Sequence, residues 1–445
     1  MTRKLKGTKQ LFFSGGSLMG ISFLSKIIDL TRGTIFLKIF SAADYGLIDI
    51  VNQIISLSKY ADIGLLNNVQ REYNVVATTN KEKADKDKEV SFGMDIILTI
   101  VIALVLSVVI LFFDYSFKVK MGVLFGSLAF VALKGLKMIQ LELTITKKFT
   151  ELGLFNLANN ILLNAVILLT VFWVGIYAPL IVKPLLLICI LTFWWCKFQL
   201  KYTFKVSVSE LKKQITYGLF FSLISLLFGS WIFFERFLIT HFFSLKQVGM
   251  YAACLFLIKL GKTLIDELFR PVSIKVKESI SPLNINVIYK CVLLPSLVFY
   301  LFLFLFVPLV DYLIKLLESN LLSNYPGISE IFNILAWLIP VYGVGAVSEY
   351  ILFVKGVDRF KSFYILYFLK FILMGLLCIL LPPSSFEQLM GYFLVVETMF
   401  FFGKQYLIYT TFFSKSKTII FIAPLVFLHF LGLFYFQSLE QFLLK

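Results

Sequence analysis

Lys26, Asp29 and Arg32 stand three residues apart in the otherwise apolar run SFLSKIIDLTRGTIFLKIF. On a helix, positions i, i+3 and i+6 share roughly one face. The three side chains then form a ladder of two cations and one carboxylate. Its plainest use is a buried chain of ion pairs. One carboxylate cannot neutralise two bases, however, so a net positive charge remains, and that charge suits an anionic ligand. The pattern recurs: Lys59 and Asp62 are again i, i+3, and Lys259, Lys262 and Asp266 keep similar spacing. Glu235 and Arg236 are adjacent, so on a helix they are expected to point apart rather than pair. Glu142, Glu349 and Glu397 lie in or near apolar segments, and each suits either a coupling ion or a neighbouring base such as Lys134 or Lys370.

The elements that carry these residues follow from composition. The 445-residue chain is 59% hydrophobic and 15% charged, with 50 Phe and a mean hydropathy of +0.89. Soluble domains hold about 45–50% apolar and about 25% charged residues. The chain is therefore read as an all-α integral membrane protein. A span needs about 20 apolar residues, and runs of that kind fall near 10–37, 43–67, 91–113, 121–146, 153–176, 179–196, 214–240, 248–269, 287–310, 329–354, 362–381, 387–411 and 418–436. Lipid offers backbone groups no partner, so each must be a helix. The expected division is a six-helix bundle at 1–200, a second at 201–411, and an additional helix at 412–445. The polar stretch 71–89, with the run KEKADKDKE, reads as a solvated loop.

Lys and Arg collect in cytoplasmic loops. With the N-terminus inside, 25 bases fall in inside segments and 7 in outside ones. That asymmetry accounts for the net charge of +16, which in a soluble protein would suggest nucleic acid. No nucleic-acid partner is expected. Ten bases remain within spans: Lys26, Arg32, Lys59, Lys134, Lys137, Arg236, Lys259, Lys262, Lys290 and Lys370. A charge at bilayer centre costs about 2.5–3.5 kcal/mol on insertion scales, so most of these must face protein or a wet cavity. At 1.5 Å per residue, Arg32 lies roughly 9 Å from the outer end of its helix. Lys26 then falls near mid-membrane and Lys59 in the inner half.

The chain also repeats at an offset near 203. SAADYG at 41–46 aligns with SLKQVG at 244–249, Lys59 with Lys262, and Arg32 with Arg236 one residue out of step. An interval holding six spans keeps both halves in one orientation, which is a parallel repeat of the kind transporters use to enclose a substrate path. Enzyme chemistry finds no footing. The five Cys are scattered, His241 and His429 have no supporting ligands, and no nucleotide loop or nucleophile–base pair occurs. No metal or cofactor is expected.

The run at 22–50 and ADIGLLNNVQRE at 61–72 resemble the polysaccharide biosynthesis family of O-antigen-type flippases, within the multidrug/oligosaccharidyl-lipid/polysaccharide exporter superfamily. The matching positions are Lys26, Arg32, Asp44-Tyr45-Gly46, Ala61 to Leu65, and Arg71. Glu235-Arg236, Ser244 and Gly249-Met250-Tyr251 look like the family's seventh-helix motif, with Glu in place of the commoner Asp. The resemblance implies two pseudo-symmetric six-helix bundles of 12–14 spans in all around a central cationic cavity. It implies alternating access and export of an undecaprenyl-pyrophosphate-linked oligosaccharide across a bacterial inner membrane. Lys26, Arg32 and Arg236 carry over as anion contacts, and the repeat adds Lys59 and Lys262. Asp29 and Glu397 are the candidates for coupling to H+ or Na+. Membrane lipids and polysaccharide polymerase machinery are the other expected partners. Two rival readings are a cation or drug exporter of the same superfamily, which would line its cavity with carboxylates, and a membrane polymerase or glycosyltransferase, which would not need the repeat.

Overall fold

The computed structural model describes residues 27–29, 31–56, 64–112, 116–146, 148–204, 226–227, 229–258, 323–338 and 360–410, with a few positions between 418 and 430. Regular structure among the described residues is entirely helical. The helices are α1 (31–39), α2 (Ala42–Ser56), α3 (Leu65–Thr79), α4 (Lys81–Phe112), α5 (Phe117–Ile145), α6 (Phe149–Val174), α7 (Lys183–Phe198), α8 (229–242), α9 (Leu245–Ile258), α10 (Ile328–Leu335), α11 (Phe360–Leu380) and α12 (Phe386–Tyr409). Among the described residues, five stretches are long and apolar enough to cross a membrane: Lys81–Phe112, Phe117–Ile145, Thr150–Val174, Ala178–Phe198 and Ser362–Leu380. The protein is a multi-pass membrane protein. Lys26, Lys59 and Lys262 lie outside the described residues.

The chain divides into two compact units, residues 1–36 with 47–233, and residues 37–46 with 234–445. In the first, α5 is the central helix, carrying the fully buried Ala129, Phe130 and Ile139. Small residues let its neighbours approach, as is usual where helices pack in lipid. A Cβ on Gly122 would lie 2.9 Å from Val51 of α2, and one on Gly126 3.3 Å from the same side chain.

KEKADKDKE is not a loop. It forms the opening turns of α4, a 32-residue helix about 48 Å long, well beyond the roughly 30 Å of a hydrocarbon core. Asn80 alone separates α3 from α4: its amide N–H donates to the Val76 carbonyl, ending α3, and its Oδ1 accepts the Lys83 N–H at 2.9 Å, starting α4. Lys, Glu and Ala are strong helix formers, and opposite charges at i, i+4 (Lys81 and Asp85, Glu82 and Lys86) add support. These turns are tied down by polar contacts. Tyr73 Oη donates to Asp85 at 2.8 Å, while Lys88 reaches Asp85 at 3.4 Å and Glu142 of α5 at 3.1 Å. Burial first, then the bond to Asp85 and the charges of Asp85 and Glu142, push the Tyr73 phenol up to about 12.

In the second unit the internal repeat becomes a physical contact. Ser41 Oγ accepts the Asp44 N–H at 3.2 Å and bonds the Asp44 carboxylate at 2.9 Å, capping α2. Ser244 bonds Gln247 at the matching place before α9. The two capped helix starts then cross. A Cβ on Gly46 would overlap the Leu245 carbonyl oxygen, and one on Gly249 would overlap that of Ala42. Since 42 matches 245 and 46 matches 249 in the repeat, the contact is reciprocal, as at a two-fold interface. Tyr325 covers it, edge-on to Tyr45 with ring centroids 6.1 Å apart and its hydroxyl donating to the Phe40 carbonyl at 3.3 Å.

No side chain fits at that crossing without moving backbone. Gly249→Ala is therefore expected to lower stability by about 1–3 kcal/mol, the usual cost of overpacking, measured by thermal unfolding in detergent. Gly375→Ala, on α11 with nothing within 4 Å of the added carbon, should leave the transition within about 0.5 kcal/mol of wild type.

Candidate functional site: two charge clusters

The first unit holds Asp29 and Arg32. Their side chains meet at 3.5 Å and are partly exposed, Arg32 to 27% and Asp29 to 47%. The ladder spacing thus does bring the pair together. The guanidinium also lies 6.0 Å above the Phe36 ring centre. Asp29 is held from a second side by α6, where Asn160 Nδ2 donates at 3.4 Å and Asn164 Nδ2 at 3.3 Å. Asn164 is buried, and the two amides bond each other. An accessible carboxylate fixed by two amides and one guanidinium can bind a cation or exchange a proton without losing its position.

The second cluster is buried in the other unit. Arg236 Nη1 donates to Glu235 at 2.9 Å, and its guanidinium carbon lies 5.0 Å from the Tyr251 ring centre. This corrects the expectation that Glu235 and Arg236 point apart. Both side chains are about 5% exposed or less, and with no water to solvate them the two long chains curl together, since an unpaired charge there is far more costly. Lys370 of α11 donates to Glu397 of α12 at 2.7 Å, so Glu397 has a base as its partner. Glu397 and Lys370 also lie within electrostatic range of Glu235, and Lys404 within range of Lys370. Lys404 is itself buried in α12. The cluster joins two carboxylates and three bases.

A third pair lies in the first unit. Lys134 of α5 meets Asp95 of α4 at 3.0 Å, each almost wholly buried. Asp95, Asn160 and Asn164 were not singled out from the sequence. An Asp in an apolar span was the available signal for the first. The Asn pair at i, i+4 in α6 was the signal for the other two. His429 is a packed core residue, bonded to Thr398 at 3.1 Å and edge-on to Trp337.

The profile of the polysaccharide biosynthesis protein family matches residues 35–276, more than half of the chain. The chain belongs to the polysaccharide biosynthesis family. The matched stretch of this family member includes Arg236 and the Gly46–Gly249 crossing. Among solved structures, the chain is similar to the lipid II flippase MurJ in an inward closed conformation, at 14% identity and a TM-score of 0.63. The match covers 95% of this chain and 99% of that one. It is also similar to an inward-facing multidrug resistance MATE family transporter of the MOP superfamily, at 15% identity and a TM-score of 0.59, over 94% and 96% of the two chains. A eukaryotic MATE transporter matches at 13% identity and a TM-score of 0.53, over 93% and 97%. Comparison with curated proteins gives no match. At these identities the likeness is one of fold, and the family member has the all-helical fold of these membrane transporters.

Proposed function

We propose that this family member is a flippase. It moves a polyprenyl-pyrophosphate-linked oligosaccharide, an O-antigen or capsule repeat unit, from the cytoplasmic to the outer leaflet of a bacterial inner membrane by alternating access. The observation that carries the reading is the presence of arginines inside the apolar part of a polysaccharide-family chain, Arg236 buried and Arg32 half-buried. A pyrophosphate loses strong hydration when it leaves water, and cations held in a low-dielectric setting offset that loss. Arg suits the task because its planar fork grips two phosphate oxygens at once. Lys26, Lys59 and Lys262 complete the proposed anion path.

Asp29 and Glu397 are the proposed coupling sites for H+ or Na+. Asp29 is supported by its exposure and its amide cradle. Glu397 is supported by its place in the charge cluster, where a change at one carboxylate is felt by both Lys370 and Glu235. The cation or drug exporter remains the rival, and the buried Arg236 and half-buried Arg32 argue against it.

The reading is tested with purified protein in liposomes carrying a fluorescent polyprenyl-pyrophosphate oligosaccharide. Protein-dependent movement between leaflets, at least tenfold over empty liposomes, is expected, together with no efflux of cationic dyes. Dye efflux without lipid movement would replace the flippase with the exporter. Orientation is checked in cells: reporters fused after Lys83, Lys205 and Lys415 should report cytoplasm, and one after Lys246 the outside. A cytoplasmic signal at Lys246 would overturn the proposed topology.

A further inference from the structure

The first unit contains a cavity of about 250 Å³ between α4, α5, α7 and the segment 199–204 that follows α7. Ile96, Val131, Met138 and Leu191 form its apolar walls, and the buried Lys134 contributes to its lining while bonded to Asp95. Thr99 also lines it. That side chain is 2% exposed, and its hydroxyl has no hydrogen-bond partner among the described residues. Thr144, Thr170, Thr192 and Thr240 each donate to the carbonyl four residues back, whereas Thr99, like Thr418, does not. A buried hydroxyl without a partner is costly, and a ligand acceptor in the cavity would remove the cost. Water is a poor occupant, since it needs two to four polar partners.

The mouth indicates what enters. Ile100, Tyr202 and Phe204 are 44%, 43% and 54% exposed, on the outer surface of a membrane helix and of the segment beside it. Trp195, Tyr202 and Phe204 form a run of ring contacts at 5.8 and 5.3 Å, the aromatic setting typical of the membrane–water boundary. Lys201 is exposed next to Tyr202, and Lys197 sits 4.8 Å above the Trp194 ring. The arrangement therefore offers an apolar chamber opening toward lipid, one deep hydroxyl, and cations in the chain segment that borders it. We propose that this cavity binds one acyl chain of an anionic phospholipid, with the Thr99 hydroxyl donating to an ester carbonyl and the headgroup held near Lys197 and Lys201. The basic loops place the mouth in the cytoplasmic leaflet, where anionic headgroups attract such lysines. An isoprenoid chain has no acceptor along its length for Thr99, so the lipid substrate's own tail is the less suited occupant. No residue of either charge cluster lines the cavity, and the site does not depend on the cargo.

The test uses the full chain in nanodiscs of phosphatidylcholine, with tryptophan fluorescence read as phosphatidylglycerol carrying brominated acyl chains is added. A saturable quenching component is expected, half complete at a mole fraction at least fivefold below that for brominated phosphatidylcholine. Trp195→Phe should remove it. Thr99→Val should raise the half-saturating fraction about threefold, and Val131→Phe or Ile96→Phe, each filling the chamber, at least fivefold, with unchanged unfolding temperature as the control for folding. Quenching that is linear and equal for the two lipids would overturn the proposal, as would a saturable component that survives whichever filling variant folds. Displacement of the brominated lipid by polyprenyl phosphate at lower concentration than by unlabelled phosphatidylglycerol would assign the cavity to an isoprenoid tail and also overturn it.

Discussion

Arg32→Ala is expected to reduce flipping at least tenfold while leaving the protein folded in the membrane. The two effects separate at this position because Asp29 keeps its Asn160 and Asn164 bonds when the guanidinium is gone, and because both charged side chains are partly exposed. Exposed pairs contribute little stability, about 0–1 kcal/mol. Arg32→Lys should retain part of the activity, since the charge survives and the fork is lost. Arg236→Ala is expected to lose transport too, but it leaves Glu235 buried without its nearest cation, so stability must be measured beside activity. The decisive variant is the triple replacement Lys26→Ala, Asp29→Asn, Arg32→Ala. If the ladder only balances its own charges, removing all three preserves folding and flipping together. Surface polysaccharide restored to normal by the triple variant in a flippase-deficient strain, with expression checked by blot, would sink the anion-path reading.

The second large effect concerns the buried pairs. Lys370→Met alone should destabilise the protein by about 3–5 kcal/mol, because it strands the buried Glu397 carboxylate without the base it pairs with. Glu397→Leu alone should do the same through Lys370. The double replacement is expected to recover most of that loss, since apolar groups of similar volume often substitute for a buried ion pair at no net cost. Transport divides two roles for Glu397. As a coupling carboxylate it cannot be replaced by Leu, so the stable double variant should remain at least tenfold slower and should no longer respond to an uncoupler. Normal flipping and a normal uncoupler response would make Glu397 solely the partner of Lys370. Lys134→Met, with and without Asp95→Leu, supplies the comparison: this pair lies in the other unit, so its double variant should regain stability and transport together.

The membrane class, the helical fold and the repeat were legible in the amino-acid sequence for a physical reason. Lipid leaves a chain of apolar 20-residue runs only one spanning form in a protein of this pattern, the helix. The offset of 203 residues is a property of residue order, so it too can be read without coordinates, and the reciprocal Gly46–Gly249 crossing gives it a spatial meaning. The helical ladder was readable because i and i+3 neighbours are set by the helix itself, and Asp29 and Arg32 do meet. Hydropathy distinguishes lipid from water, but it does not distinguish a solvated loop from a solvated helix. KEKADKDKE was therefore readable only as polar, and Asn80 with its bonds to Val76 and Lys83 decides that α4 begins there.

Only the tertiary structure decided which charges are partners. Asp29 and Asn164 are 135 residues apart in sequence, Asp95 and Lys134 are 39 apart, and Lys370 and Glu397 are 27 apart. Each base in a span required a partner or a wet cavity, because an isolated charge in lipid is too costly. Several carboxylates could satisfy that requirement equally well on sequence alone. Which one does depends on the rotation and depth of each helix in its unit, and these are fixed by contacts such as Gly122 and Gly126 against Val51. Residue order specifies the charges, and packing between helices assigns them.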